Sequence, residues 1–145
     1  MELVTKKKLV LVAGRVHPEL ATEISERLGV PLGDVEMATF PNGERHCRFG
    51  ESIRGADLFI LQTHDSVEGC TINDAIMEQL IMVDAARRAS AKRITVVAPF
   101  YGYARQDRKA TGREPITAKL LANLLATAGA KRLVSIDLHS GQIQG

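Results

Sequence analysis

The amino-acid sequence predicts an α/β domain built on a central, mostly parallel sheet of five strands, from which a β-hairpin stands out as a flag. Three observations lead there. Short apolar, β-branched runs recur along the chain and end in polar loops, the pattern of strands buried on both faces. Amphipathic helical segments alternate with them, as parallel crossover units require. Asn42-Gly43 separates two extended segments, a spacing that signals an antiparallel hairpin.

Taken in order, Lys8 to Ala13 is the first strand, and a helix runs from Pro18 to its stop at Gly29. Pro stands at the first helical position, Glu19 lies in the first turn, and Leu20, Ala21, Ile24 and Leu28 share one face. Asp34 to Phe40 is the second strand. It turns through Pro41-Asn42-Gly43-Glu44 into a segment of alternating polarity from Arg45 to Phe49. Asp57 to Gln62 is the third main strand, and Thr63 to Gly69 is a polar loop. The helix from Thr71 to Ala89 opens with a capping box, Thr71 with Asp74, and buries the stripe Ile72, Ile76, Leu80 and Val83. Arg87, Arg88 and Lys92 suit its negative C-terminal end, and Met77 and Met82 read as core or subunit contacts. Arg93 to Ala98 is the fourth strand, Pro115 to Ala128 a helix stopped by Gly129, and Leu133 to Leu138 the fifth strand. That last strand carries no covering helix after it, so the sequence reads as the front half of something longer.

A length of 145 residues allows one domain with a substantial core and not two. A net charge of +2 makes any basic patch local, and without Trp and with few aromatics there is no stacking platform for single-stranded nucleic acid. Cys47 and Cys70 have no metal or redox spacing and read as free thiols of a reducing cytoplasm. Lys6, Lys7 and Lys8 precede an apolar run, Leu9 to Ala13, that is too short for a signal-peptide core. No apolar stretch approaches the roughly 20 residues needed to span a bilayer. The expected location is cytoplasmic, with neither membrane nor nucleic acid as partner.

Three loops follow the carboxyl ends of strands, where open α/β sheets bind ligands. The longest, Pro99 to Arg113, concentrates Arg105, Arg108, Lys109 and Arg113 against the single acid Asp107, which reads either as a phosphate site or as a solvated basic surface. The second is the hairpin turn with Phe40, Asn42 and Glu44, open to a chemical role or to none. The third holds Asp137 and His139, with Gln142 and Gln144 close behind. Walker, dinucleotide-binding and nucleophile-elbow motifs are all missing, and the paired acids of a phosphorelay receiver are replaced by Ala13-Gly14-Arg15.

Phe40-Pro-Asn-Gly-Glu44, Tyr103-Ala-Arg-Gln-Asp107, Arg113-Glu-Pro-Ile-Thr117 and above all Asp137-Leu-His-Ser-Gly-Gln-Ile-Gln-Gly145 resemble the ribose-phosphate pyrophosphokinase family, the phosphoribosyl pyrophosphate synthetases. The similarity runs in order over essentially the whole chain. It implies a three-layer phosphoribosyltransferase-like fold, a transferase of nucleotide biosynthesis, ATP and ribose 5-phosphate as substrates, Mg²⁺, and a homohexamer. The implied reaction moves the β,γ-diphosphoryl group of ATP to the 1-hydroxyl of ribose 5-phosphate.

By position in that resemblance, Arg105 and Gln106 contact the nucleotide, Asp107 shapes their loop, and Asn42, Gly43 and Glu44 form the adenine-reading turn. Phe40 covers the base, delivered from a neighbouring subunit, and His139 is a Mg²⁺ ligand. Asn42 departs from the commoner Asp, keeping an acceptor and adding a donor. Arg108, Lys109 and Arg113 are candidates for the triphosphate or an anionic regulator, while His17, His46 and His64 receive no role. The resemblance assigns no catalytic residue to this half: residues 1–145 are expected to be an N-terminal ATP-binding domain, inactive alone, with the ribose 5-phosphate domain absent. The rival expectations are a non-catalytic partner half-domain of a full-length synthetase and a generic nucleotide-binding module.

Overall fold

The computed structural model describes residues 8–138. In chain order the elements are β1 (Leu9–Ala13), α1 (Pro18–Leu28), β2 (Val35–Thr39), β3 (Arg45–Phe49), β4 (Asp57–Leu61), α2 (Ile72–Arg88), β5 (Arg93–Val97), α3 (Thr117–Ala128) and β6 (Arg132–Val134). Strands β1, β4, β5 and β6 form a parallel sheet in the order β1-β4-β5-β6, while β2 and β3 form a separate antiparallel pair.

The α/β class and the hairpin stand as expected, but among the described residues the main sheet has four strands rather than five. The reason is pairing: β2 spends its ladder on β3, from Val35↔Phe49 to Thr39↔Arg45, and does not join the parallel sheet. Among the described residues an isolated bridge between Leu11 and Leu32 lies against β1. The last strand also lies earlier than expected, at Arg132–Val134. Beyond it Ile136 and Asp137 both donate backbone N–H groups to the Pro99 carbonyl, and Asp137 forms an isolated parallel bridge with Phe100.

Alternation along each strand divides the interior in two. Val10, Val12, Leu58, Ile60, Ile94 and Val96 face α2 and α3 and form the main core with Met82, Val83, Leu121 and Leu125. Leu11 and Leu61 face the other way, toward Ala21 and Ile24 of α1. Helices therefore lie on both faces of the sheet, which gives three layers. The hairpin joins the larger core through Val35, Met37, Cys47 and Phe49, so only its tip projects.

Helix ends follow from local chemistry. Thr71 and Asp74 form the expected capping box, each side chain accepting the other's backbone N–H. His17, given no role from sequence, caps α1 by accepting the Leu20 N–H at Nδ1. Gly29 ends that helix in the left-handed conformation (φ 65°) that glycine adopts without steric cost. Leu28 was expected on the buried face but is exposed, because α1 covers only part of the sheet.

The two methionines separate cleanly: Met82 is 0% exposed and Met77 is 54% exposed. Met82→Ala should lower the unfolding free energy by about 2–5 kcal/mol through lost burial and a residual cavity. Met77→Ala should stay within about 0.5 kcal/mol of the unaltered protein, and urea titration of both variants checks the contrast.

Candidate functional site

Parallel strands bring all their carboxyl ends to one edge of the sheet, and the loops gathered there define the site. A cleft of about 780 Å³ opens at that edge, lined by Ile72, Phe100, Tyr103, Ala104, Arg105, Gln106, Asp137 and Leu138. Its floor is pinned from below. Tyr101 is buried and donates its hydroxyl to the Ala118 carbonyl (2.7 Å), and burial pushes that hydroxyl's pKa up to about 12. Tyr103 takes a positive φ of 61° and donates to the Asn73 side chain on α2. That bend turns the chain back, so Gln106 N–H reaches the Tyr103 carbonyl (2.8 Å) and the Gln106 carbonyl accepts from Ala118 N–H (3.0 Å).

Arg105 and Gln106 are exposed on this folded segment. The Thr117 hydroxyl donates to the Gln106 amide oxygen (2.7 Å), so the amide nitrogen is what Gln106 has to offer a ligand. Asp107 is half-buried beside them. Arg108, Lys109 and Arg113 are exposed in the stretch beyond, where Glu114 gathers the N–H groups of Ala110 and Thr111 and the Thr111 hydroxyl. Those bonds hold the Glu114 carboxyl below its ordinary range.

The hairpin turn is a second, separate feature. Phe40 N–H donates to the Glu44 carbonyl (2.8 Å) and Gly43 N–H to the Phe40 carbonyl (2.8 Å), with Gly43 at φ 93°. Asn42 bridges to Glu44 twice, accepting its backbone N–H (3.1 Å) and donating to its carboxylate (2.7 Å). The loop is thus longer than a two-residue hairpin turn. Phe40 is exposed and lies 6.2 Å, centroid to centroid, from the His46 ring. None of Phe40, Asn42, Gly43 or Glu44 lines the cleft that holds Arg105 and Gln106. His139 lies outside the described residues. Asp137, two residues before it, lines the cleft, and its oxygen donors are of the type Mg²⁺ prefers. Among the described residues no group of three or more His, Cys, Asp or Glu could hold a metal.

Two buried polar networks support these loops, and the sequence reading missed both. In the first, Glu78 on α2 is 1% exposed and accepts from Arg15 N–H (2.9 Å), Arg15 Nε (2.8 Å), Gln62 Nε2 (2.8 Å) and Arg45 Nη1 (3.3 Å). Burial pushes its carboxyl up, but the bonds from Arg15, the Arg15 charge and the Gln62 amide outweigh this and hold it below the ordinary value. Gly14 leaves room for Gln62, since a β-carbon there would run into its amide.

In the second, Gln79 donates to the Ile60 and Val97 carbonyls (3.0 and 3.3 Å), tying the ends of β4 and β5 together. Its amide oxygen lies 2.6 Å from His64 Nε2, and His64 Nδ1 accepts the Gly102 N–H (2.8 Å). His64 is therefore the neutral Nε2–H tautomer, and it fixes the start of the Arg105 loop. Burial keeps its pKa below 6.5 despite the Gln79 bond.

Residues 9–129 match the family described as the N-terminal domain of ribose phosphate pyrophosphokinase. The chain belongs to that family. It is 54% identical over 140 residues to a ribose-phosphate pyrophosphokinase of Streptomyces avermitilis, covering 97% of this chain and 42% of that protein. To the protein of the same name from Bifidobacterium longum it is 53% identical over 139 residues, with 96% and 40% covered. A crystal structure of phosphoribosylpyrophosphate synthetase from Mycobacterium smegmatis superposes with a TM-score of 0.91 at 55% identity, covering 96% of this chain and 45% of that one. The chain thus spans less than half the length of these relatives. Its resemblance to the ribose-phosphate pyrophosphokinases, read from four short motifs, is borne out over nearly the whole sequence.

Both buried networks make stability depend on pH in the same direction. The folded-state pKa of His64 is depressed from 6.5, so the unfolded chain binds the extra proton first as acid is added. Stability should be full above pH 6.5 and fall as pH drops toward the folded pKa. Glu78, depressed from 4.5, should cause a second loss below that value. Urea unfolding between pH 8 and pH 4, with the His64 ring followed by NMR, checks the first loss, and a ring that charges near 6.5 contradicts the assignment.

Proposed function

We propose that this chain is the ATP-binding N-terminal domain of a ribose-phosphate diphosphokinase, a cytoplasmic homohexameric enzyme. The observation that carries the reading is one cleft, at the carboxyl ends of parallel strands, that gathers Arg105, Gln106 and Asp137 in a member of this family. Arg105 offers a planar cation to stack on adenine or to fork onto phosphate, and Gln106 offers its amide nitrogen. Asp107 shapes their loop. Asn42, Gly43 and Glu44 read the base edge, and the Asn42 bridge to Glu44 presets the turn. Phe40, 47% exposed near the tip of the hairpin, is available to a neighbouring subunit's site, which is how turn and cleft serve one nucleotide while lying apart in one chain.

In the reaction, the 1-hydroxyl oxygen of ribose 5-phosphate bonds to the β-phosphorus of ATP. The bond from that phosphorus to the α,β-bridging oxygen breaks, AMP leaves, and the hydroxyl proton passes to solvent or a base. Such a transfer is mainly alignment and charge neutralisation. At about 4 Å and an effective dielectric near 20, each cation–phosphate contact is of order 4 kcal/mol before desolvation. Arg105, Arg108, Lys109 and Arg113 lie on a segment that could supply several. Asp137 and His139 would hold Mg²⁺, which supplies further neutralisation of the phosphate oxygens when bound. The ribose 5-phosphate half of the site belongs to the additional length of the relatives.

Calorimetric titration of ATP into the protein tests the nucleotide site. Arg105→Ala and Phe40→Ala should each weaken ATP binding by about tenfold or more, the scale of one charge-assisted bond or a stacked ring; undiminished binding in both refutes the pocket. Residues 1–145 taken alone should release no AMP from ATP and ribose 5-phosphate, and robust turnover by that polypeptide overturns the division of the site between domains.

A further inference from the structure

The hairpin turn makes its own shape but not its own position. Its hydrogen bonds are internal, running among Phe40, Asn42, Gly43 and Glu44. Its placement depends on the pair Thr39 and Arg45, which face each other across the ladder where the loop begins. Both arms lead to the same carboxylate. Arg45 reaches Glu78 Oε1 directly through Nη1 at 3.3 Å, with Nη2 3.7 Å from Asp74 and donating to the Gly69 carbonyl (3.3 Å). Thr39 reaches it through Arg15, whose Nη2 donates to the Thr39 hydroxyl (2.8 Å) and lies 2.7 Å from Glu78 Oε1.

We propose that Glu78 is the positioning residue for base selectivity: it clamps both roots of the 40–44 turn and thereby sets where that turn meets the nucleotide base. The inference rests on the assignment of that turn to base recognition. A well-packed apolar side chain at 78 would cover the sheet equally well, since a buried ion pair is seldom worth more to stability than its hydrophobic counterpart. What the carboxylate adds is direction. It draws Arg15 from the end of β1, Arg45 from β3 and Gln62 from the end of β4 onto one point of α2. Reading a base edge by hydrogen bonds needs donors and acceptors held to within about 0.5 Å, which is a demand on the supporting shell. Attraction between cations and a triphosphate falls off slowly with distance and tolerates such an error. Loss of the clamp should therefore weaken the base-dependent part of binding and spare the phosphate-dependent part.

The test is calorimetry on the full-length protein with ATP, GTP and inorganic tripolyphosphate, comparing Glu78→Gln with the unaltered protein and with Phe40→Ala. Glu78→Gln should weaken ATP about tenfold while leaving GTP and tripolyphosphate within about twofold, so that the preference for ATP over GTP collapses. Equal weakening of all three ligands overturns the proposal, because a residue that only supports the fold acts on them alike. If ATP binds Glu78→Gln normally but Phe40→Ala poorly, the positioning role fails and the assignment of the turn stands; if ATP ignores both substitutions, the underlying assignment fails. Should Glu78→Gln not fold, Thr39→Val at an exposed position decides by the same titrations: about threefold weaker ATP binding alone supports the clamp, and unchanged ATP binding overturns it.

Discussion

A carboxylate taken out of water must be neutralised and hydrogen-bonded, and much of the site's framework is arranged to meet that requirement at Glu78. Two guanidinium groups, an amide and a backbone N–H converge on it from three strands or their ends. Removing a single partner from such a buried group costs about 3–5 kcal/mol, because an uncompensated charge remains. An exposed pair such as Arg88 with Asp84 on the same helix contributes about 0–1 kcal/mol and constrains little. The cluster carries its own cost: Arg45 Nε is buried without a partner. The hairpin is thus joined to α2 and the main core by apolar contacts through Cys47 and Phe49 on one stretch and by charge at its root.

Next to it, Gln79 solves a different problem. Near the ends of β4 and β5 the Gln79 amide adds a donor to the Ile60 and Val97 carbonyls, the latter already accepting the Gln62 N–H (2.9 Å). Its oxygen then orients His64, which receives the Gly102 N–H and so carries the restraint into the loop of Arg105 and Gln106. A β-carbon at Gly102 would crowd His64 and the tip of Ile76. Burial in this setting favours the neutral ring, which is the form that can accept from Gly102.

Hydrophobic periodicity made most of the fold legible. The continuous runs at 9–13, 57–61 and 93–97, the caps at Thr71 and Gly29, and the Asn42-Gly43 hairpin all follow from local rules that tertiary packing reinforced. The strand count was not legible, because whether β2 pairs with β1 or only with β3 is decided by long-range contact. On α2 the reading followed Ile72, Ile76, Leu80 and Val83, of which Ile76 and Val83 are buried and Ile72 and Leu80 half-buried, but it passed over Ala75, Glu78, Gln79 and Ala86, which are buried beside them. Alanines carry little hydrophobic weight and the two polar residues argue against burial, so the pattern hid the face that matters. A signal did exist: Ala75, Met82 and Ala86 are in helical phase with Glu78, and Arg45 is in strand phase with Cys47 and Phe49. Phe40, Asn42, Arg105 and Gln106 receive a role only through resemblance, since composition and spacing left their loops open to a passive reading.

Glu78 and Gln79 are consecutive residues, and through them one turn of α2 holds both candidate loops of the chain. The first governs the root of the 40–44 turn, the second the base of the 99–106 segment. In surveying terms the helix is a common datum. Two loops placed by independent anchors would accumulate independent errors, and their separation would drift with every strain in the molecule. Anchored to adjacent positions on one rigid rod, they share their error: a small shift or tilt of α2 carries both along, and the spacing between them is the quantity that survives.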